Sequence, residues 1–196
     1  DKAPLLTNTH ESESSDFSPE ASNVDSQLHY FVSQRTGTSQ IWRSNHNEIK
    51  QVTFLTDDSK RISRLRLSPD NKRLLFLQDT SLQLIDLESN QVHLIKELSD
   101  IDLVNFEWGV QAHEIYFINV EDDQRKLHKF DLMTREISLI NVSDANRLYA
   151  NAVGDVYYLS NKSLVNVESG AQLPITIPNN GFVFADINES YFYGTD

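Results

Sequence analysis

Arg64, Arg66 and Glu107 are the charged residues whose placement points furthest toward chemistry. Arg64 and Arg66 alternate with Leu65 and Leu67 in a run that reads as a strand, so plain alternation puts both guanidinium groups on one face. A guanidinium is a planar fork that takes carboxylates and other anions bidentately. Such a face has two uses: an anion or peptide site, or an internal ion pair with a neighbouring acid, for which Glu107 and Asp16 are the candidates. Other constellations are missing. The six histidines (10, 29, 46, 93, 113 and 128) show no metal-ligand spacing, and no His-Glu-x-x-His occurs. No Gly-x-Ser-x-Gly elbow and no glycine-rich phosphate loop is present, the six glycines being isolated. Glu121-Asp-Asp123 lacks the spaced acids of a calcium loop and reads as a hairpin turn. A non-enzymatic chain without cofactor or metal is expected.

The elements that would hold the arginines repeat. Strand-like runs end at Phe31, Phe76, Phe117, Tyr158 and Tyr193, a period near forty residues, which is the pattern of propeller blades. Each unit ends in a second signature: Leu84-Ile-Asp-Leu-Glu-Ser89, Lys129-Phe-Asp-Leu-Met-Thr134 and Leu164-Val-Asn-Val-Glu-Ser169. There Asp86, Asp131 and Asn166 are expected to bond the backbone of a tight turn. A closing apolar run follows each turn, at Val92–Ile95, Ile137–Ile140 and Leu173–Ile177. The innermost strands align as a column of large residues, Phe17, Leu67, Trp108, Tyr149 and Phe184, preceded by Asp16, Arg66, Glu107, Leu148 and Val183. Because innermost strands line a propeller's channel, Arg64, Arg66 and Glu107 are expected at the channel rim. After Phe17 and Leu67 comes a Ser-Pro-acid turn, and a short insertion falls within residues 21–27.

These features predict an all-β chain of four-stranded antiparallel blades, about four of them with incomplete ends. Residues 1–9 read as the closing strand of a preceding blade or a linker, 10–57 as blade one, 58–98 as blade two, 99–142 as blade three, 143–178 as blade four and 179–196 as the start of a fifth. Both ends fall in mid-pattern, so the chain reads as part of a longer protein. Self-association is expected from the open terminal blades, or closure by a strand at Leu5–Thr7.

Ser68-Pro-Asp-Asn-Lys-Arg-Leu-Leu-Phe76 resembles the Ser-Pro-Asp-Gly-Lys core of the TolB-type, WD-like propeller repeat. Tyr30 to Trp42 resembles the strand pair that follows it, and Gln51-Val-Thr53 its closing strand. The likeness fades in blades three to five, where Gly109-Val-Gln, Ala150-Asn-Ala and Ala185-Asp-Ile replace the turn. The resemblance implies three settings. One is the periplasmic sensory region of a CadC-type, membrane-anchored winged-helix transcription regulator. The second is a TolB-like periplasmic protein-binding propeller. The third is the non-catalytic propeller of a prolyl-oligopeptidase-type peptidase. The expected partner is a protein, a peptide or a small ligand at the channel. A net charge of −12 argues against direct nucleic-acid contact by this part of the chain, because phosphate contacts need a basic face. No cysteine is present, so no disulfide framework or thiolate chemistry is available. No apolar run approaches the roughly 20 residues of a membrane span.

Overall fold

The computed structural model describes residues 16–22, 24–57, 59–142, 145–151, 153–160, 163–173, 182–185 and 192–195, with backbone alone for 16–18, 182–185 and 192–195. The segment Leu5–Thr7, expected to close a blade, lies outside them. Among the described residues the structure is all-β apart from one 3-10 turn at Lys96–Leu98. Its strands form four antiparallel four-stranded sheets, each a simple meander, arranged radially as propeller blades. Blade one holds β1 (Asp16–Ala21), β2 (His29–Ser33), β3 (Gln40–Asn45) and β4 (Glu48–Gln51). Blade two holds β5 (Ile62–Leu67), β6 (Arg73–Gln78), β7 (Ser81–Asp86) and β8 (Gln91–Leu94). Blade three holds β9 (Leu103–Trp108), β10 (Glu114–Glu121), β11 (Gln124–Asp131) and β12 (Ile137–Ile140). Blade four holds β13 (Leu148–Ala150), β14 (Val156–Ser160), β15 (Ser163–Asn166) and β16 (Gln172–Leu173). A further hairpin pairs β17 (Phe182–Ala185) with β18 (Phe192–Thr195).

The second strand of each blade explains the radial packing. Leu74-Leu-Phe-Leu77 is apolar at every position, which suits a strand covered on both faces. Leu74 and Phe76 pack with Tyr30, Val32 and Ile41 of blade one, whereas Leu75 and Leu77 pack with Phe106, Trp108 and Phe117 of blade three. The alternation repeats one blade on. Ile115 and Phe117 face blade two, and Tyr116 and Ile118 join Leu148 and Val156 of blade four. The core therefore lies between blades.

Turn chemistry follows the sequence. Asp86 Oδ1 accepts the backbone N–H groups of Glu88 and Ser89; Asp131 does the same for Met133 and Thr134, and Asn166 for Glu168 and Ser169. Four residues beyond each lies a left-handed residue: Asn90, Arg135 and Gly170. Asp122 and Asp123, with φ of 51° and 60°, make the two-residue β10–β11 hairpin turn.

Two registers differ from the sequence alignment. Ser18-Pro-Glu20 is not a turn. β1 runs through it with a bulge between Phe17 and Glu20, and the chain turns at Ser22–Leu28 instead, where Ser22 N–H bonds Leu28 O. The insertion after Ala21 supplies a longer turn, so Pro19 stays on the strand. In blade four, Tyr149 rather than Leu148 pairs with the second strand as Arg66 and Glu107 do in theirs: Arg66 opposes Leu75, Glu107 opposes Tyr116, Tyr149 opposes Tyr157 and Glu20 opposes Tyr30. The turn after β13 closes from Asn151 to Asp155, one residue shorter than its counterpart from Ser68 to Arg73, which shifts the alignment by one.

Trp108 is 2% exposed, packs between blades two and three, and donates its Nε1–H to Arg66 O at 2.9 Å. Trp108→Ala is expected to lower unfolding free energy by about 3–5 kcal/mol. Denaturant melts measure it, and an unchanged midpoint would contradict inter-blade packing.

Candidate functional site

The innermost strands β1, β5, β9 and β13 stand side by side and carry the charged column. β5 contains a bulge between Ser63 and Arg66, with Arg64 at φ 55°. Arg64 and Leu65 on β5 thereby oppose Phe76 alone on β6, and the expected common face of Arg64 and Arg66 is broken. Arg64 is exposed and reaches outward to donate to the Val104 carbonyl on β9. Arg66 turns between the blades. Its Nε donates to Glu107 Oε1 at 2.7 Å, its Nη1 donates to Leu65 O at 2.7 Å, and Nη1 lies 3.8 Å from Glu20 Oε2. Glu20 Oε1 in turn accepts the Leu67 N–H at 3.3 Å. The internal partners of Arg66 are thus Glu107, as the sequence suggested, and Glu20. The side chain of Asp16, the other sequence candidate, lies outside the described residues.

One guanidinium serves two carboxylates here, and both acids are held away from water. Burial pushes the Glu107 carboxyl above the usual range, with Arg66 and then Arg147 pulling it back. Burial likewise pushes Glu20 up to about 7 against the pull of Arg66, and the charge of Glu107 adds to the rise. Arg66 is held above its ordinary value chiefly by Glu107. Arg147 sits over the Tyr149 ring at 5.6 Å from its centroid, on the far side of Glu107.

The two ends of these strands differ. At the ends where they finish, turns from three blades crowd together. A Cβ on Gly154, which has φ 92°, would lie 2.9 Å from Pro69 Cγ of blade two and 3.0 Å from Val110 Cα of blade three. Toward the ends where they begin lie three exposed arginines, Arg64 on β5, Arg125 near the start of β11 and Arg147 just before β13. Arg64 bonds Val104, Arg125 donates to Asn146 O at 3.1 Å, Arg147 follows, and Asn105 Oδ1 accepts the Leu148 N–H. Arg125 and Arg147 escape sequence reading because neither falls in the Arg66 column; only the hairpin and loop geometry brings Arg125 onto Asn146, next to Arg147 in the chain.

No family model and no curated protein matches the chain. Solved structures do. TolB from Acinetobacter baumannii matches with a TM-score of 0.64 at 16% identity, over 86% of this chain and 45% of that one. An oligogalacturonate lyase in complex with manganese matches at 0.60 and 12%, over 83% and 54%. A chain of the nidogen/laminin complex matches at 0.53 and 10%, over 74% and 59%. The fold is a TolB-like β-propeller. The chain spans about half the length of the solved proteins it matches. A TolB, a lyase and a chain of the nidogen/laminin complex share this fold, so the fold does not itself set an activity.

Two outcomes follow from the column. Arg66→Ala leaves Glu107 buried without its ion partner and is expected to cost about 3–5 kcal/mol, whereas Arg66→Met with Glu107→Leu, which removes both charges, recovers most of it. A double mutant no more stable than Arg66→Ala would contradict the pairing. Glu20 holds its proton more tightly folded than unfolded, so its contribution is full below the ordinary carboxylate range and declines as pH rises through about 7. Glu107 acts in the same direction. Stability is expected to fall between about pH 5 and about pH 8, and Glu20→Gln to flatten that fall. Urea melts across this range read both; equal slopes for the two proteins would refute the Glu20 assignment.

Proposed function

We propose that this domain is a non-enzymatic recognition propeller that takes an anionic group of a protein or peptide partner at the Arg64 rim. The supporting observation is that Arg64, Arg125 and Arg147, all exposed, lie at or near the ends where β5, β11 and β13 begin, in a chain of net charge −12. Cations held there against an acidic background attract and orient a carboxylate-rich ligand. Arg66 and Glu107 act beneath the rim. Bonded to each other, they fix the spacing of blades two and three, and so the distance from Arg64 to Val104.

The setting in this reading is a bacterial periplasm, with the propeller as the sensory region of a membrane-tethered, winged-helix transcription regulator. The TolB-type repeat motifs, the acidic charge and the lack of cysteine support it. Among the described residues no helix is long and apolar enough to cross a membrane, so the tether would belong to flanking sequence. The coding sequence upstream tests this directly: a winged helix followed by an apolar stretch of roughly 20 residues is expected, and a Gly-x-Ser-x-Gly hydrolase domain downstream would overturn it.

The rim has its own test. Arg64→Glu is expected to abolish binding to an array of acidic peptides that the wild-type domain retains, with the melting temperature unchanged. Binding equal to wild type would remove Arg64 from the site.

A further inference from the structure

We propose that the outer corner of blade three binds one divalent transition-metal ion through His113, Glu114 and Asp131, brought together where β10 begins and β11 ends. The ligand atoms of these three side chains lie within 4.8 Å of one another. Sequence spacing hides the group, because Asp131 meets His113 and Glu114 only across the β10–β11 hairpin.

The cross-strand register carries the first part of the case. Glu114 and Asp131 are directly opposed in the β10–β11 pair. Two carboxylates so placed repel and destabilise a sheet. In the same position of blade two, Asp86 is opposed by Arg73, and in blade four Asn166 is opposed by Tyr157. The repeat therefore places a cation against the turn acid of blade two and a neutral residue against the turn amide of blade four. Blade three alone of these three places a second acid there, with an imidazole beside it.

The donors are also oriented. Asp131 Oδ1 is taken by the backbone N–H groups of Met133 and Thr134, at 2.7 and 3.1 Å, which leaves Oδ2 directed at His113 Nε2, 3.6 Å away. With metal–ligand bonds of about 2.1 Å, the edge of a tetrahedral site measures about 3.4 Å, so this pair already stands near chelating distance. Glu114 Oε1 is held by Lys129 Nζ at 2.9 Å. Its other oxygen, Oε2, packs in the space that a side chain at position 109 would fill, 3.4 Å from the Cβ that Gly109 lacks. Arg73 of blade two donates to Ala112 O at 3.2 Å and so fixes the backbone immediately before His113. Glu168, which accepts the Tyr116 hydroxyl at 3.3 Å, adds a further negative charge nearby. Lys129 bonds Glu114 and is attracted by Asp131 and Glu168 as well, so a single lysine faces three carboxylates. An ion held by His113, Glu114 and Asp131 offsets the remaining negative charge, and that donor set of one nitrogen and two oxygens suits zinc, cobalt or nickel better than calcium, which takes oxygen ligands.

The test uses the purified domain, stripped with chelator and titrated with Co²⁺ alone, then competed with Zn²⁺. Expected are saturable visible absorption at one ion per chain, its loss on Zn²⁺ addition, and a higher melting temperature with Zn²⁺. Asp131→Asn keeps the backbone turn, as Asn166 does in blade four, and Glu114→Gln keeps the hydrogen-bonding shape. Each is expected to weaken Co²⁺ binding at least about tenfold, as is His113→Gln on the partly exposed surface. If no saturable binding is found below millimolar ion, or if all three variants bind as the wild type does, the corner is only a His113–Asp131 ion pair and the proposal fails.

Discussion

The sheets of blades two and three are apolar on both faces, and a neighbouring sheet covers each face. That constraint sets the rest. It makes the second strand of each blade continuously apolar, sends Leu74 and Phe76 one way and Leu75 and Leu77 the other, and forces the blades into radial order. It also decides where polar residues can go. The inner strands must approach one another closely while keeping some polar side chains. Their charges therefore meet across the blade junctions, and a buried acid there needs a built-in partner. Arg66 is that partner for Glu107, and the Trp108 indole is locked to the same arginine's carbonyl. Packing and electrostatics at the junction of blades two and three thus share one residue.

The repeat made the architecture legible. Short-range chemistry was legible with it: Asp86, Asp131 and Asn166 cap their turns as their side chains dictate, and Ser68-Pro-Asp-Asn71 folds as a turn, with Asn71 at φ 57°. The misreadings are all of register. A bulge adds one residue to one strand and leaves no mark in an alignment of apolar positions, so β1 and β5 each hide one. Glu20 was read as a turn acid for that reason, and it lies instead beside Arg66. Arg125 and Arg147 were invisible for a different reason. Their position depends on where hairpin tips and blade linkers fall in space, which no periodicity encodes.

The two charged regions differ in kind. The ladder from Glu20 through Arg66 and Glu107 toward Arg147 alternates in sign, as a structure that must satisfy its own charges does. The corner at Glu114 and Asp131 does not alternate, since acid faces acid across a strand pair. The first region reads as scaffold beneath a recognition rim. The second has a surplus that the scaffold does not need.

The bulge in β5 has a consequence for how such a rim changes over generations. Side-chain direction along a strand has period two, so in an unbroken strand every residue's facing is tied to that of its neighbours. The extra residue at Arg64 cuts that tie between Ser63 and Arg66. The exposed residue at the bulge, Arg64, can change in size or charge, while Ile62 and Leu65 stay in the core and the stretch after the bulge keeps Arg66 aimed at Glu107. Descendants of this domain can in that way diversify what the rim accepts without re-solving how the blades stand together.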